Sequence, residues 1–572
     1  MTRSLPMLDL AAPSPIELRP RDPRSPEMPA DTRLAEYRPE PRALPRFHVW
    51  TLGCQMNQSD SEEMAGRLLA AGCAEAPSLE AADLVVINTC AIREGAEQKV
   101  IGRMGQLVKL KAANPGMRVV LTGCSVREPD RAGLARRYPA VDVFLRPDEE
   151  PELVDRLGLA SAQAPVGLSG AAGATGATGA TGAVGAVGAV GSVGSVGAPT
   201  SPATGTTTLV GRTVVGSADR LAQARDLAIA QDRVARGSAI SAWLPIIYGC
   251  DKTCSYCIVP FSRGPERSRP FDAIVDEARA LAAAGYREVT LLGQNVNSYG
   301  HDLAPEPRFA HIATERRTGR RLDLHARPDL AELIQAIDAI RTTDGAPAIP
   351  RLRFVTSHPW DLSDRLIEAL ATCPSVCEHL HLPVQSGDDA VLRRMGRQYT
   401  TEHYLERLGA IRAAVPGIAI STDVIVGFCG ETEAQFEATL GLLETVRYDQ
   451  VFAAAYSVRP GTPATHLVDD VPAAEKRRRL NVLLELQERI GLVRNEAWLG
   501  RTTEVLLDSV APERQHGPAG GQQVSGRTRE HKLVHVAGAM TGAGATTAEL
   551  LGRLVMVRIE HAGPYALRGT LA

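Results

Sequence analysis

Three apolar runs appear from Phe47 onward, FHVWTLGC, DLVVINTC and RVVLTGC, and each ends in a cysteine. They are dense in Val, Ile and Leu and lack an alternating polar face, which predicts strands buried on both sides. Stretches of helical character separate them, at Ser59–Ala71 and Ala96–Ala113. Strand, helix, strand, helix, strand predicts a parallel αβ sheet domain over residues 47–160. A longer alternation follows from Trp243. Its apolar runs are WLPIIYG, EVTLLGQ, RLRFVTS, HLHLPVQ, IAISTDVIVGF and QVFAAAYSV, with amphipathic stretches such as Phe271–Ala284, Asp329–Arg341 and Thr401–Val415 between them. Six such units over residues 237–470 predict a partial (β/α)6 barrel, with residues 301–322 looped out as an insertion.

A charged helix around Ala473–Trp498 connects this part, over residues 471–499, to a last segment of different character. Residues 500–572 carry TTEVLLDSV, KLVHVAG and RLVMVRIEHAG between Gly and Pro turns, the pattern of a small antiparallel β-barrel. The fold class is therefore α/β and multidomain. Two segments read as lying outside it. Residues 1–46 hold ten prolines, eight arginines and seven acids, the composition of a disordered tail. Residues 161–236 contain a glycine at every third position, in GATGATGATGAVGAVGAVGSVGSVG, without the proline that a collagen helix needs. That segment reads as a flexible insert and linker, with one helix expected at Ser217–Ala235.

Charge and cysteine content narrow the functional classes. The 572 residues carry 63 basic and 66 acidic side chains, net −3, which argues against bulk polyanion binding but leaves local recognition of RNA open. Ten cysteines are too few for a disulfide scaffold of this length. No apolar stretch is long enough to span a bilayer, and the N-terminus lacks the continuous apolar centre of a signal peptide. A reducing cytoplasmic compartment is expected, where clustered cysteines are more often metal ligands or catalytic groups.

Six of the ten cysteines form two constellations. Cys250, Cys254 and Cys257 follow the first strand of the second series as C-x3-C-x2-C. Three thiolates at this spacing loop around one small object and fit three corners of a 4Fe–4S cube, leaving one iron open. Zinc would require a fourth ligand, and none is near in sequence. Cys54, Cys90 and Cys124 are 36 and 34 residues apart, yet each stands just past the end of a predicted parallel strand. Strand ends of an open αβ sheet share one edge, where ligands gather. These three thiols are either buried small apolar residues or the ligands of a second cluster. Cys73, Cys373, Cys377 and Cys429 read as incidental.

The C-x3-C-x2-C loop after a first barrel strand resembles the radical S-adenosylmethionine (SAM) enzymes. With Cys54, Cys90 and Cys124, the chain resembles the methylthiotransferase family within that superfamily, over residues 47–160 and 237–572. The motifs that carry the resemblance are TLGCQMNQSDSE, INTCAIREGAE, YGCDKTCSYCIVPFSRGPERSRP, LLGQNVNSYG, TSHP, HLPVQSG and YSVRPGTPA. NTCAIRE and GQNVNSYG favour the branch that acts on isopentenylated adenosine in tRNA. Cys429 stands where the family usually has proline. The resemblance implies two 4Fe–4S clusters, on the two cysteine triads, and SAM as both methyl donor and radical source. It implies a tRNA substrate methylthiolated at C2 of N6-isopentenyladenosine in the anticodon loop, a C-terminal TRAM module that grips RNA, an electron donor protein and a sulfur source. The stretch DVIVGFCGE, with Gly427 and Glu431, resembles a family strand that packs near the adenine of SAM. Gln294 and Asn295, at a strand end facing the same mouth, are either further SAM contacts or a polar turn, and Arg527, Arg529 and Lys532 in SGRTREHK are either RNA contacts or a solvated strand face. A monomer is expected. Alternatives remain open: a sibling enzyme acting on threonylcarbamoyl-adenosine or on a ribosomal protein aspartate, and a non-catalytic iron–sulfur RNA-binding sensor.

Overall fold

Strands β1 (Arg46–Leu52), β2 (Leu84–Thr89) and β3 (Arg118–Thr122) are parallel neighbours, as the three cysteine-terminated runs predict. Two-residue edge strands, Ala74–Glu75 beside β1 and Val143–Phe144 beside β3, complete a five-stranded sheet. This computed structural model describes residues 45–90, 94–126, 131–159, 234–312, 315–317, 320–322, 325–510, 524–536 and 547–572. The Pro-rich tail up to residue 44, the glycine repeat and nearly all of the helix expected at Ser217–Ala235 lie outside them.

Every residue of β2 is buried, because helices cover both faces of a parallel sheet. Helix α1 (Gln55–Ala70) starts four residues before the expected Ser59. The stretch QMNQ looks like a loop in sequence, but Asn57 is buried and its Nδ2 donates to Asn88 Oδ1 on β2 at 2.7 Å. A satisfied polar pair takes the place of an apolar helix face there. Helix α2 (Glu94–Ala113) joins β2 to β3.

Strands β4 (Ser241–Pro245), β5 (Glu288–Leu292) and β6 (Arg351–Phe354) form one parallel group. Strands β7 (His379–His381), β8 (Ala419–Val426) and β9 (Gln450–Ala455) form another. A single parallel bridge, Leu352 to Val376, joins the groups into an open six-stranded barrel in chain order. Helices α3 (Phe271–Ala283), α4 (Leu330–Asp338), α5 (Asp364–Thr372), α6 (Thr401–Ala414) and α7 (Glu433–Val446) cover its outside. Ser363, Thr400 and Thr432 cap the last three of these. On β8 the side chains Ile420, Val424 and Val426 enter the core under the helices, so Ser421, Asp423 and Ile425 turn to the lumen. Within the expected loop insertion the chain forms a short hairpin, Glu315–Arg317 with Arg320–Leu322.

Helix α8 (Ala473–Glu496) leads to the C-terminal barrel, of β10 (Thr502–Val510), β11 (Val524–Arg527), β12 (Leu533–Val536), β13 (Leu554–Ala562) and β14 (Leu567–Leu571). The barrel is closed in the order β10-β11-β12-β14-β13. It is not wholly antiparallel as expected. The β12–β14 pair is parallel, because β13 intervenes and reverses the chain before β14 closes the barrel.

Candidate active site

The first sheet reverses its winding between β1 and β2. The chain leaves β1 toward the edge strand Ala74–Glu75 and returns past β1 to β2. Such a switch point opens a crevice at the strand ends. Cys54 caps α1 on one side of it and Cys90 follows β2 on the other. Cys124 approaches through Gly123, whose φ is +95°. A Cβ at Gly123 would lie 2.2 Å from the Thr89 carbonyl oxygen, so only glycine lets the Cys124 turn pack against the residue before Cys90. Cys90 and Cys124 are buried and Cys54 is half-buried. Burial pushes the Cys124 thiol up, Arg263 opposes this, and nearby Cys54 adds to it.

Gly123→Ala is expected to destabilise this domain by about 2–4 kcal/mol, from strain at positive φ plus the backbone clash. Gly102→Ala, in open space on α2, should be neutral or slightly stabilising. Denaturant titration of the two variants side by side checks both.

The second triad occupies the C-terminal mouth of the six-stranded barrel, in the loop after Ile247–Tyr248. Gly249 N donates to Gln294 Oε1 at 2.5 Å, which ties the start of the loop to the end of β5. Ser255 N donates to Met395 O at 2.8 Å, and Ser255 O accepts from Ala464 N at 2.8 Å. Arg397, buried, donates to Cys254 Sγ at 3.4 Å and to Pro383 O at 2.9 Å. Lys252 pairs with Asp361 at 2.6 Å, and Asp361 accepts from Asn295 Nδ2 at 2.8 Å. The Cys257 thiol is pushed up to about 11, by burial first and then by Cys254. Burial also raises Cys250, with smaller contributions from Glu266, Cys257 and Cys254.

Each triad offers three thiols, the number that a 4Fe–4S cube with one open iron takes from a protein. Among the described residues no three thiol, imidazole or carboxylate groups converge on one ion position. A cube spreads its three thiolates over three different irons, so they stay further apart. The barrel mouth also holds buried polar atoms without partners, Asn295 Oδ1 and Ser357 Oγ, with Gln294 Nε2 beside them, which suits a polar ligand such as SAM.

Residues 244–443 match the radical SAM superfamily, and residues 46–146 match a family described as uncharacterized protein family UPF0004. The tRNA-2-methylthio-N(6)-dimethylallyladenosine synthase of Sorangium cellulosum is 39% identical over 92% of this chain and 93% of its own. That of Clostridium botulinum (strain Okra / Type B1) is 34% identical over 92% of this chain and 97% of its own. The chain belongs to the tRNA-2-methylthio-N(6)-dimethylallyladenosine synthases. Among solved structures, the radical S-adenosylmethionine methyltransferase TsrM of Kitasatospora setae matches with a TM-score of 0.45 at 14% identity, covering 74% of this chain and 77% of that one.

Glu431, Gly427, Arg529, Lys532 and Arg527 all have partners within the chain. Glu431 is buried and its carboxylate accepts from Arg479 Nη1 at 2.9 Å and from Gly427 N at 2.5 Å. Gly427 has φ +70°, and a Cβ there would lie 2.4 Å from Lys476 Cγ. Both therefore anchor α8 against the C-terminal end of β8. Arg529 and Lys532 do not form a solvated RNA-facing surface. Arg529 Nε donates to Glu378 at 2.7 Å, and Lys532, buried, pairs with Asp449 at 2.8 Å. The Arg527 carbonyl accepts from Arg351 Nη1, and burial lowers the Arg527 guanidinium. The turn between β11 and β12 is thereby docked on the N-terminal ends of β6, β7 and β9, where a neighbouring domain supplies its counter-charges.

Arg397 and Arg263 gain their places beside cysteines only in the folded chain, although Arg263 lies inside the YGCDKTCSYCIVPFSRGPERSRP motif. A buried arginine beside a cysteine has no sequence signature when the two are 139 residues apart, as Arg263 and Cys124 are. In the lumen, the His381 ring lies 3.5 Å from the Asp423 carboxylate and meets Phe452 edge-on at 5.8 Å. Phe452 is 49% exposed, an unusual state for a phenylalanine on a barrel strand.

Proposed function

We propose that this chain methylthiolates C2 of N6-isopentenyladenosine at position 37 of the tRNA anticodon loop. SAM serves as both methyl donor and radical source. The observation that carries the reading is the presence of two separate cysteine triads at strand-end edges, linked by one side chain, Arg263. In this reading Cys250, Cys254 and Cys257 hold one 4Fe–4S cluster, and Cys54, Cys90 and Cys124 hold the other. When bound, the first supplies the electron that cleaves SAM and the second supplies the sulfur centre from which the methylthio group is delivered. C–H activation and sulfur donation need different surroundings, which is a physical reason for two sites in one chain.

The protein's own side chains do the rest. Gln294 fixes the start of the cluster loop through Gly249, and Arg397 holds the thiol of Cys254. Asn295 and Ser357 offer buried polar atoms at the mouth for the amino acid end of SAM. The exposed face of Phe452, oriented by His381, is suited to stack the target base, and Asp423 to accept from its exocyclic N–H. The C-terminal barrel, in the TRAM role, contributes RNA affinity through surfaces other than Arg529 and Lys532. An electron donor protein and a sulfur source complete the reaction, in a cytoplasmic monomer. Among the described residues no helix is long and apolar enough to cross a membrane.

Nucleoside analysis of tRNA from cells with and without the gene tests the substrate. Loss of the 2-methylthio nucleoside with build-up of N6-isopentenyladenosine is expected. A change confined to threonylcarbamoyl-adenosine, or to a ribosomal protein, would sink the assignment.

A further inference from the structure

Arg263 belongs by sequence to the loop of the second triad, six residues beyond Cys257, and ends the short helix Val259–Ser262. Its N–H donates to Val259 O at 2.8 Å, and the next carbonyl, Gly264 O, accepts from Cys250 N at 3.1 Å. The backbone at 263–264 is thus part of the Cys250–Cys257 loop. The side chain leaves that loop and enters the other domain. It is 5% exposed, Nε donates to Cys124 Sγ at 3.3 Å, and Nη2 donates to Asp60 Oδ2 at 2.5 Å. Asp60 is on α1, the helix that Cys54 caps. One planar fork therefore touches a ligand candidate of the first triad and the helix that positions another, while its backbone is fixed to the second triad.

We propose that Arg263 is a positioning residue that couples the two cysteine sites, by holding the Cys124 sulfur and α1 in register with the Cys250–Cys257 loop. This rests on the reading that Cys54, Cys90 and Cys124 hold an iron–sulfur cluster. An N–H directed at a cluster-bound sulfur favours the more negative, reduced state and so raises its potential. Lysine cannot replace the fork, because an ammonium is a point charge that cannot serve a sulfur and a carboxylate in one plane. Asp60 acts in the opposite sense: its carboxylate shares the guanidinium and offsets its charge.

The test uses the full chain, reconstituted anaerobically with iron and sulfide. A background carrying Cys250→Ala, Cys254→Ala and Cys257→Ala isolates the first triad's signal. In it, Arg263→Gln is expected to lower the midpoint potential and alter the electron paramagnetic resonance spectrum, and Asp60→Asn to raise the potential. In the otherwise intact chain, Arg263→Gln and Arg263→Lys should both raise deoxyadenosine formed per methylthiolated product by about tenfold or more, the usual scale for losing a ligand's supporting hydrogen bond. Midpoints that stay put in both Arg263→Gln and Asp60→Asn overturn the proposal, as does an Arg263→Lys chain that matches the parent in spectrum and product ratio. If the triple-alanine background binds no iron at all, the cluster reading itself fails, a result distinct from failure of the Arg263 role.

Discussion

Cys250→Ala is expected to bring deoxyadenosine formation from SAM to background and to lower the iron content from about eight to about four per chain, since each cube holds four irons. Cys254→Ala and Cys257→Ala should do the same. The reason is local. Cys250 and Cys254 are buried, Cys257 half-buried, and the loop that carries them is tied to Gln294, Met395, Ala464 and Gly264. That loop has no spare cysteine. Cys429 packs near Tyr256 and Cys254, but it follows β8 and belongs to a different turn. Alanine is smaller than cysteine and leaves the backbone ties in place, so the folded state should persist while the cluster is lost. Iron analysis, deoxyadenosine by chromatography and circular dichroism on one preparation separate these effects. A variant that still cleaves SAM would refute the radical assignment.

Cys124→Ala should behave differently. SAM cleavage is expected to continue, methylthio transfer to stop, and iron again to fall to about four per chain. Cys54→Ala and Cys90→Ala should agree with it. If these three cysteines were only packing groups, the loss of one sulfur would cost little stability and leave the iron count unchanged. An unchanged count with product still formed therefore removes the second cluster. The two sets of variants give opposite patterns in one assay pair, deoxyadenosine against methylthiolated nucleoside, so each serves as the other's control.

The strands were readable because their cause is local. FHVWTLGC, DLVVINTC and RVVLTGC can be little else than buried strands, and all three form the centre of the first sheet. The six apolar runs from Trp243 likewise all form barrel strands, with boundaries displaced by a few residues. Where the reading missed, a distant partner decides. Helix α1 begins early because Asn57 pairs with Asn88, 31 residues away. Strands β11 and β14 have little apolar pattern of their own and are held by neighbours in a closed barrel. Arg529 and Lys532 look like surface cations in SGRTREHK, yet Glu378 and Asp449 take them up.

By itself, then, the sequence determined the class of each element, the parallel order expected of strand–helix alternation, and the six cysteines in two groups. These follow from hydrophobic period and spacing, which act over a few residues or through a regular repeat. Only the tertiary structure decided that Cys54 and Cys90 flank a winding switch, that Cys124 reaches them through a glycine no side chain could replace, and that Arg263 crosses from one triad to the other. It also decided that Glu431 and Gly427 brace a helix and that the turn between β11 and β12 docks on the barrel floor. Each of these depends on which groups meet after the chain has closed on itself, and a buried charge or polar group is defined by the partner it finds there.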